Sequence, residues 1–216
     1  MLTFSCQAIL FDLDGVLVDS TPYVTRIWRA WAREHGLDAE YVVHAAHGRP
    51  TIATVREVAP HLDAQWETDR IEQREINDSD GLRVLPGAKE LLAALPPERY
   101  TIVTSGTRPL ATRRLQVDGL PVPATMITAD DVRNGKPDPE PYLAGARALG
   151  CEPKRCLVFE DAPSGIRAAK SAGMVAIGVL TGAGAEGLSQ ADAITPSLEA
   201  VAVTIVPEGL IVALAQ

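Results

Sequence analysis

The chain contains 216 residues, of which 46% are hydrophobic and 22% charged, and its formal net charge is −8 at pH 7. This composition excludes a disordered or fibrous protein, and the length suits one domain or a domain with a modest insertion, since domains usually contain about 100–200 residues. The acidic balance argues against a nucleic-acid or anionic-membrane binder, because Lys and Arg supply most of the affinity for both.

Cysteine usage and the N-terminal sequence indicate a soluble protein of a reducing compartment. The three cysteines, Cys6, Cys151 and Cys156, are too few and too scattered for a disulfide framework. No charged n-region precedes the first apolar run, which Asp12 interrupts, so no secretory signal is predicted. The longest apolar stretch is shorter than the about 20 residues that a membrane-spanning helix needs. We therefore expect a cytoplasmic protein with no membrane and no nucleic-acid partner.

Short apolar runs alternate with helix-like segments along much of the chain. The predicted strands are residues 7–11, 100–103, 125–127, 155–159 and 175–179. The predicted helices among them are residues 88–94, 109–117, 139–149 and 164–172. Buried strands that alternate with helices are typical of a parallel sheet with crossover connections. We therefore predict an α/β fold with a Rossmann-like, doubly wound parallel sheet.

The interval between the first and second predicted strands is too long for one crossover helix and has a helical pattern. Its predicted helices are residues 22–35, 39–46, 51–59 and 63–77, with no convincing strand pattern. We predict an α-helical cap domain of residues 18–83, inserted into an α/β core domain of residues 1–17 and 84–216.

Acidic pairs follow two of the predicted strands. Asp12 and Asp14 leave the first strand in DLDGV, and Glu160 and Asp161 leave the fourth in FEDAP. The carboxyl ends of the strands form the ligand crevice of an open α/β sheet, and buried carboxylates need a cation or hydrogen-bond donors. The acids indicate a ligand site there, although a plain turn at Gly15 and a helix cap at Asp161 remain alternatives.

Two further clusters lie in loops that we expect to find at the same crevice. Ser105 and the backbone amide of Gly106 lie in TSGT, just before a predicted helix, where hydroxyls and amides can bind an anion. An ordinary Ser/Thr turn has the same pattern. Lys136 lies in the proline-bounded GKPDP, and a surface lysine in a turn is its alternative. The joint occurrence of the four clusters favours one site.

Taken together, the segments DLDGV, TSGT, GKPDPEPY and FEDAPSGI closely resemble the four motifs of the haloacid dehalogenase superfamily of phosphotransferases. The resemblance implies that Asp12 is the nucleophile, which forms an aspartyl-phosphate, and that Asp14 is the general acid and base. It also implies a Mg²⁺ ion held by the Asp12 carboxylate, the Asp14 carbonyl oxygen and Asp161, with Glu160 as an outer or alternative ligand.

The same resemblance implies that Ser105, the Gly106 amide and Lys136 bind the equatorial oxygens of the transferred phosphoryl group. Lys136 would also offset the charge of the carboxylates around Asp12.

The helical insertion resembles the small α-helical cap of one subgroup, which includes β-phosphoglucomutase, phosphoglycolate phosphatase and the sugar and polyol phosphatases. The cap sequence is most similar to enzymes acting on 2-deoxyglucose-6-phosphate, glycerol phosphate or hexitol phosphates. We therefore expect a Mg²⁺-dependent phosphatase of a small sugar or polyol phosphate, with a phosphosugar mutase or a phosphoglycolate-type phosphatase as alternatives. Mutases of the subgroup have a histidine where this chain has Val24, which disfavours a mutase. The oligomeric state is left open, and a monomer is compatible with the sequence.

Two glycine-containing loops complete the candidate features. His47, Gly48 and Arg49 lie between predicted cap helices and are candidates for substrate binding, since His and Arg donate to hydroxyls and oxyanions. The alternative is an ordinary turn with a solvated arginine. Residues 182–187 match a dinucleotide-binding pattern, but no long helix is predicted after them, so we expect a loop beside the crevice.

Overall fold

The computed structural model describes residues 1–46, 49–117, 119–182 and 184–215. Its strands are β1 (Leu2–Cys6), β2 (Ala8–Phe11), β3 (Val18–Asp19), β4 (Arg83–Val84), β5 (Tyr100–Val103), β6 (Met126–Ile127), β7 (Cys156–Glu160), β8 (Val175–Val179), β9 (Ala193–Thr195), β10 (Val201–Val206) and β11 (Gly209–Leu214). Its α-helices are α1 (Thr21–Glu34), α2 (Ala39–Ala46), α3 (Thr51–Val58), α4 (Ala64–Asn77), α5 (Ala88–Ala94), α6 (Arg108–Val117), α7 (Glu140–Ala148) and α8 (Pro163–Ser171).

The described residues form a six-stranded parallel sheet in the order β6-β5-β2-β7-β8-β9. The central strand β2 is fully buried, and alternate side chains pack into different cores: Ile9 and Phe11 into one, Ala8 and Leu10 into the other. This period of two places apolar side chains on both faces of the sheet, which helices must then cover. The predicted Rossmann-like α/β architecture is confirmed.

Strand β9 and a separate antiparallel sheet, β1-β11-β10, go beyond the predicted elements. Strand β10 alternates half-buried and exposed residues over its first four positions, and β11 follows it after a two-residue connection. An edge strand of this kind has one solvated face, so it lacks the continuous apolar run by which the central strands are predicted.

Helices α1–α4 occupy the predicted insertion, and their bounds agree with the expected helices to within one residue. No strand is predicted for residues 18–83. This prediction is wrong at the two ends of the range, where β3 and β4 pair antiparallel. Two residues are too few to give a visible alternation of side chains. The paired strands carry the chain into and out of the helical insertion, and the division into two domains stays a prediction.

Packing of the insertion follows helical periodicity. Tyr23, Ile27 and Trp31 lie on one face of α1 and are buried, and α4 packs against both α1 and α6. No described helix combines the length and the apolar character required to cross a membrane.

Candidate active site

One cleft of about 420 Å³ lies at the carboxyl edge of β5, β2 and β7, beneath the helical insertion. The core residues predicted for the site all line it: Asp12, Asp14, Ser105, Gly106, Lys136, Glu160 and Asp161. Trp28 of α1, His44 of α2 and Arg49 also line this cleft. His47 and Gly48 lie outside the described residues.

A tight turn directly after β2 brings Asp12 and Asp14 into the cleft. Gly15 has a φ of 78°, a left-handed conformation that favours glycine, and its N–H donates to the carbonyl oxygen of Val18 at 2.8 Å. A Cβ at this position would also overlap the Asp161 carboxylate. Gly15 is therefore the turn residue, as the plain alternative requires, and the same turn carries acids that face a cleft.

Lys136 is buried between two carboxylates. Its ammonium donates to Asp12 Oδ1 at 2.7 Å, to Glu160 Oε1 at 2.6 Å and to the Val103 carbonyl oxygen at 3.1 Å. Burial alone would lower the pKa of Lys136, but the charges of Asp12 and Glu160 outweigh burial and hold this pKa above its ordinary value. The side chain is thus a fixed positive charge, and not the surface lysine of the alternative interpretation.

Asp12 has an unusual electrostatic environment. Burial, with a further contribution from the Glu160 carboxylate, raises the pKa of Asp12 to about 7 against the opposing effect of Lys136. A single ammonium therefore does not fully offset the charge of the acids around it. Additional positive charge would favour the carboxylate form of Asp12, which is the form that can act as a nucleophile.

Glu160 is enclosed and its carboxylate oxygens are occupied. Oε1 accepts from Lys136 and from the Tyr142 hydroxyl at 2.9 Å, and Oε2 accepts from the Ala162 amide at 3.0 Å. Gly165 of α8 makes room for this side chain, since a Cβ there would overlap the carboxylate. These contacts fix Glu160 as an anchor for the ammonium.

Asp161 differs from Glu160 because no described residue donates a hydrogen bond to its carboxylate. It does not cap α8, whose N-terminal cap residue is Ala162 with no side-chain hydrogen bond. Burial, strengthened by the charges of Glu160 and Asp12, raises its pKa well above the ordinary value. Carboxylate oxygens of Asp12, Glu160 and Asp161 lie within 4.8 Å of one another. A hard cation with oxygen ligands fits this uncompensated cluster.

Gly182 lies directly against the carboxylate of Asp161, as Gly15 does. A Cβ at Gly182 would overlap Asp161 Oδ2, so the loop that follows β8 passes directly beside the acidic cluster. Among the described residues after it, turns lead to β9 without an intervening helix. This arrangement agrees with the expected loop beside the crevice and lacks the helix of a dinucleotide-binding motif.

The first three residues of the TSGT segment line the cleft, and the backbone amide of Gly106 forms a hydrogen bond within the segment. The Gly106 N–H donates to Thr104 Oγ1 at 3.1 Å, which is the Ser/Thr turn of the alternative interpretation. The half-buried Ser105 and Gly106 both line the cleft. The segment thus forms a turn that also lines the cleft, and anion binding by Ser105 and Gly106 stays a prediction.

Arg49 is exposed and forms an ion pair with Glu57 of α3 at 2.6 Å. It lies at the edge of the cleft, so both the substrate-binding and the solvated-turn interpretations stay open.

A buried arginine that lies outside all four motifs also contacts the site. Arg114 of α6 donates to Asp14 Oδ2 at 2.5 Å, to Tyr23 Oη at 3.0 Å and to the Glu75 carboxylate. Burial raises the pKa of Glu75, with Arg114 opposing the shift. The signal in the sequence is periodicity, because Arg114 falls on the same face of α6 as the buried Leu110, four residues earlier.

Comparison with known proteins agrees with this geometry. The family model for haloacid dehalogenase-like hydrolases matches residues 6–173. Hexitol phosphatase A of Escherichia coli is 42% identical over 209 residues, which cover 94% of this chain and 97% of that protein. Glycerol-1-phosphate phosphohydrolase 1 of Saccharomyces cerevisiae is 37% identical over 193 residues, covering 83% of this chain and 77% of that protein.

A solved structure shows the same fold. The crystal structure of a hydrolase from Pseudomonas syringae superposes with a TM-score of 0.81 at 27% identity, covering 90% of this chain and 94% of the other. The family match spans most of the chain and includes all four sequence segments that line the cleft. The protein therefore belongs to the haloacid dehalogenase-like hydrolases.

Proposed function

We propose that the protein is a Mg²⁺-dependent phosphatase that hydrolyses a small sugar or polyol phosphate through an aspartyl-phosphate on Asp12. The observation that carries the proposal is the buried pair of Asp12 and Lys136 beside the unpartnered carboxylate of Asp161, at the base of one cleft. The names of the two relatives, a hexitol phosphatase and a glycerol-1-phosphate phosphohydrolase, support the substrate class.

Hydrolysis proceeds in two displacements. In the first, a carboxylate oxygen of Asp12 forms a bond to phosphorus while the bond from phosphorus to the ester oxygen breaks. The ester oxygen keeps the electron pair of the broken bond and accepts a proton from Asp14. In the second, a water oxygen bonds to phosphorus as the Asp12–phosphorus bond breaks. Asp14 accepts the proton of the water, and the Asp12 carboxylate is regenerated with inorganic phosphate as product.

The acidic cluster fits the metal that this family implies. We assign the Asp12 and Asp161 carboxylates and the Asp14 carbonyl oxygen as its protein ligands, since both oxygens of Glu160 already accept hydrogen bonds. When bound there, Mg²⁺ supplies positive charge to the phosphoryl oxygens and to the two carboxylates.

Lys136 keeps Asp12 in place and completes the positive side of the site. All three of its protons are already donated, so a phosphoryl oxygen binds this ammonium by replacing the longer bond to Val103. We assign Ser105 and the Gly106 amide to the remaining phosphoryl oxygens, with Gly106 exchanging its bond to Thr104.

A phosphate-release assay tests the proposal. Wild-type protein with Mg²⁺ is expected to release phosphate from members of a panel of hexose, hexitol, glycerol and glycolate phosphates. Interconversion of phosphosugar isomers without phosphate release would instead identify a mutase. Val24 lines the cleft at the position where the resemblance implies a histidine in mutases, which disfavours that outcome.

Substitution of the nucleophile tests the covalent route. D12N is expected to abolish turnover, and to leave no phosphoryl group on acid-quenched protein, while its thermal unfolding stays cooperative. D69N is the matched control, because Asp69 is an exposed acid of α4 whose one hydrogen-bond donor among the described residues is Gln65. Turnover by D12N comparable to that of D69N would contradict the role of Asp12.

A further inference from the structure

Arg114 occupies a buried position between the sheet core and the helical insertion. Its side chain is 7% exposed, and its guanidinium meets three side chains: Asp14 after β2, Tyr23 of α1 and Glu75 of α4. Nη1, Nε and Nη2 each serve one of these partners. Because the guanidinium is planar and rigid, bonds in three directions fix its orientation as well as its position.

The two carboxylate oxygens of Asp14 have different surroundings. Oδ2 accepts from Arg114 at 2.5 Å, whereas Oδ1 is buried and has no hydrogen-bond partner among the described residues. Asp14 lines the cleft, so the unpartnered oxygen is the one left for a ligand there. A buried polar atom without a partner is costly, and it is commonly retained where a substrate completes it.

Two of the three partners of Arg114 come from the helical insertion. Tyr23 and Glu75 lie on α1 and α4, and the Tyr23 hydroxyl also lies 3.3 Å from the Glu75 carboxylate. Glu75 and Arg114 are both almost fully buried, so removal of either one would leave the other as an uncompensated buried charge. The placement of Arg114 therefore depends on how α1 and α4 pack against α6.

We propose that Arg114 is a positioning residue for the acid step, which holds Asp14 Oδ2 so that Oδ1 faces the leaving-group oxygen. Tyr23 and Glu75 hold Arg114 in that place, which makes proton transfer depend on the packing of the insertion. The inference rests on the proposed phosphatase function and assigns a residue that lies outside all four motifs.

Leaving-group chemistry separates positioning from general structural support. An alkyl phosphate expels a strongly basic alkoxide, which needs the proton of Asp14 as the bond to phosphorus breaks. A 4-nitrophenyl phosphate expels a weakly basic phenolate, which leaves without a proton. kcat/KM covers the steps up to the departure of this group, so a defect in proton donation lowers it only for the alkyl ester.

The test compares R114Q with wild type on 4-nitrophenyl phosphate and on the alkyl phosphate that wild type hydrolyses best. We expect R114Q to lower kcat/KM about 100-fold for the alkyl ester and less than about threefold for the aryl ester. R114K keeps the charge but not the planar fork, and is expected to recover part of the alkyl activity. The metal ligands are untouched, so the rise in melting temperature on adding Mg²⁺ should match that of wild type.

R113Q is the matched control. Arg113 is the neighbouring arginine on α6, and it bonds to the Ile76 carbonyl oxygen and the Ser79 hydroxyl without contacting Asp14. Loss of this bridge to the end of α4 is expected to leave the alkyl-to-aryl ratio of kcat/KM unchanged. Should R114Q fail to fold, E75Q and Y23F each weaken one support of Arg114, and each is expected to show the same selective loss at smaller size.

Three results would overturn the inference: equal losses of R114Q on both esters, an altered ratio in R113Q, or a crystal structure of R114Q in which Asp14 keeps its orientation. A wild-type protein that hydrolyses neither ester would refute the proposed function instead. The crystal structure of R114Q would still decide whether Arg114 orients Asp14.

Discussion

Replacing Asp161 by asparagine should have opposite effects on stability with and without metal. Carboxylate oxygens of Asp12, Glu160 and Asp161 lie within 4.8 Å of one another, and Lys136 is the ammonium between the first two. At that separation, two like charges repel by about 3 kcal/mol for an effective dielectric constant of about 20. Proton uptake by Asp161 relieves part of this repulsion, because burial raises its pKa. We therefore expect metal-free D161N to be more stable than wild type by about 2 kcal/mol.

The assay is thermal unfolding in EDTA and in Mg²⁺. A stabilisation of about 2 kcal/mol corresponds to a rise of roughly 4–8 °C for a chain of this size. At a Mg²⁺ concentration of about 100 times its Kd, binding should stabilise wild type by about 2.7 kcal/mol, or roughly 5–11 °C. D161N loses a ligand and should gain little, so the gap between the variants should close or reverse in Mg²⁺.

D192N is the control for the loss of an acid as such. Asp192 pairs with Lys170 and accepts a hydrogen bond from the Ala176 amide, and it is not one of the residues that line the cleft. We expect D192N to unfold at lower temperature in both buffers and to keep the full response to Mg²⁺. The reasoning is refuted if D161N melts below wild type in EDTA, or if it responds to Mg²⁺ as wild type does.

Two further predictions concern the anchor of the ammonium and the edge of the cleft. G165A should lose about 1–3 kcal/mol of stability and most of its turnover, because the new Cβ displaces Glu160, whereas G184A meets open space and should match wild type in unfolding and rate assays. R49A should raise KM for the best substrate about tenfold with kcat nearly unchanged, since a hydrogen bond to a charged group contributes about 1.5–3 kcal/mol. E57A, which removes only the ion-pair partner of Arg49, serves as its control, and a KM for R49A equal to that of wild type would favour a plain turn.

The central sheet and the acids at its edge could be predicted because their signals are local. Strand β2 is a short apolar run buried on both faces, and Asp12 follows it at once, so one segment of sequence contains both the strand and its polar end. The same holds for β7 and Asp161. Parallel strands then bring these ends together without any further information.

Arg114 shows where local signals end. Its partners Asp14, Tyr23 and Glu75 are 100, 91 and 39 residues away in the chain, and no spacing rule connects them. Helical periodicity places an arginine on the buried face of α6, but the groups that compensate its charge come from separate elements whose packing is not encoded locally. A charged residue on an apolar face thus indicates that a partner exists, without naming it.

The charges of the cleft also explain how an acidic protein can act on a phosphate ester. Lys136 is held between Asp12 and Glu160, and Arg114 makes ion pairs with Asp14 and a second carboxylate. Each of these two buried cations therefore faces two carboxylates. Asp161 adds a further carboxylate with no partner among the described residues. A doubly charged phosphate would meet net repulsion from these groups alone. The acids that make the cleft negative are also suitable ligands for a divalent cation, and a cation held by them would turn a repulsive site into one that can hold a small phosphate ester.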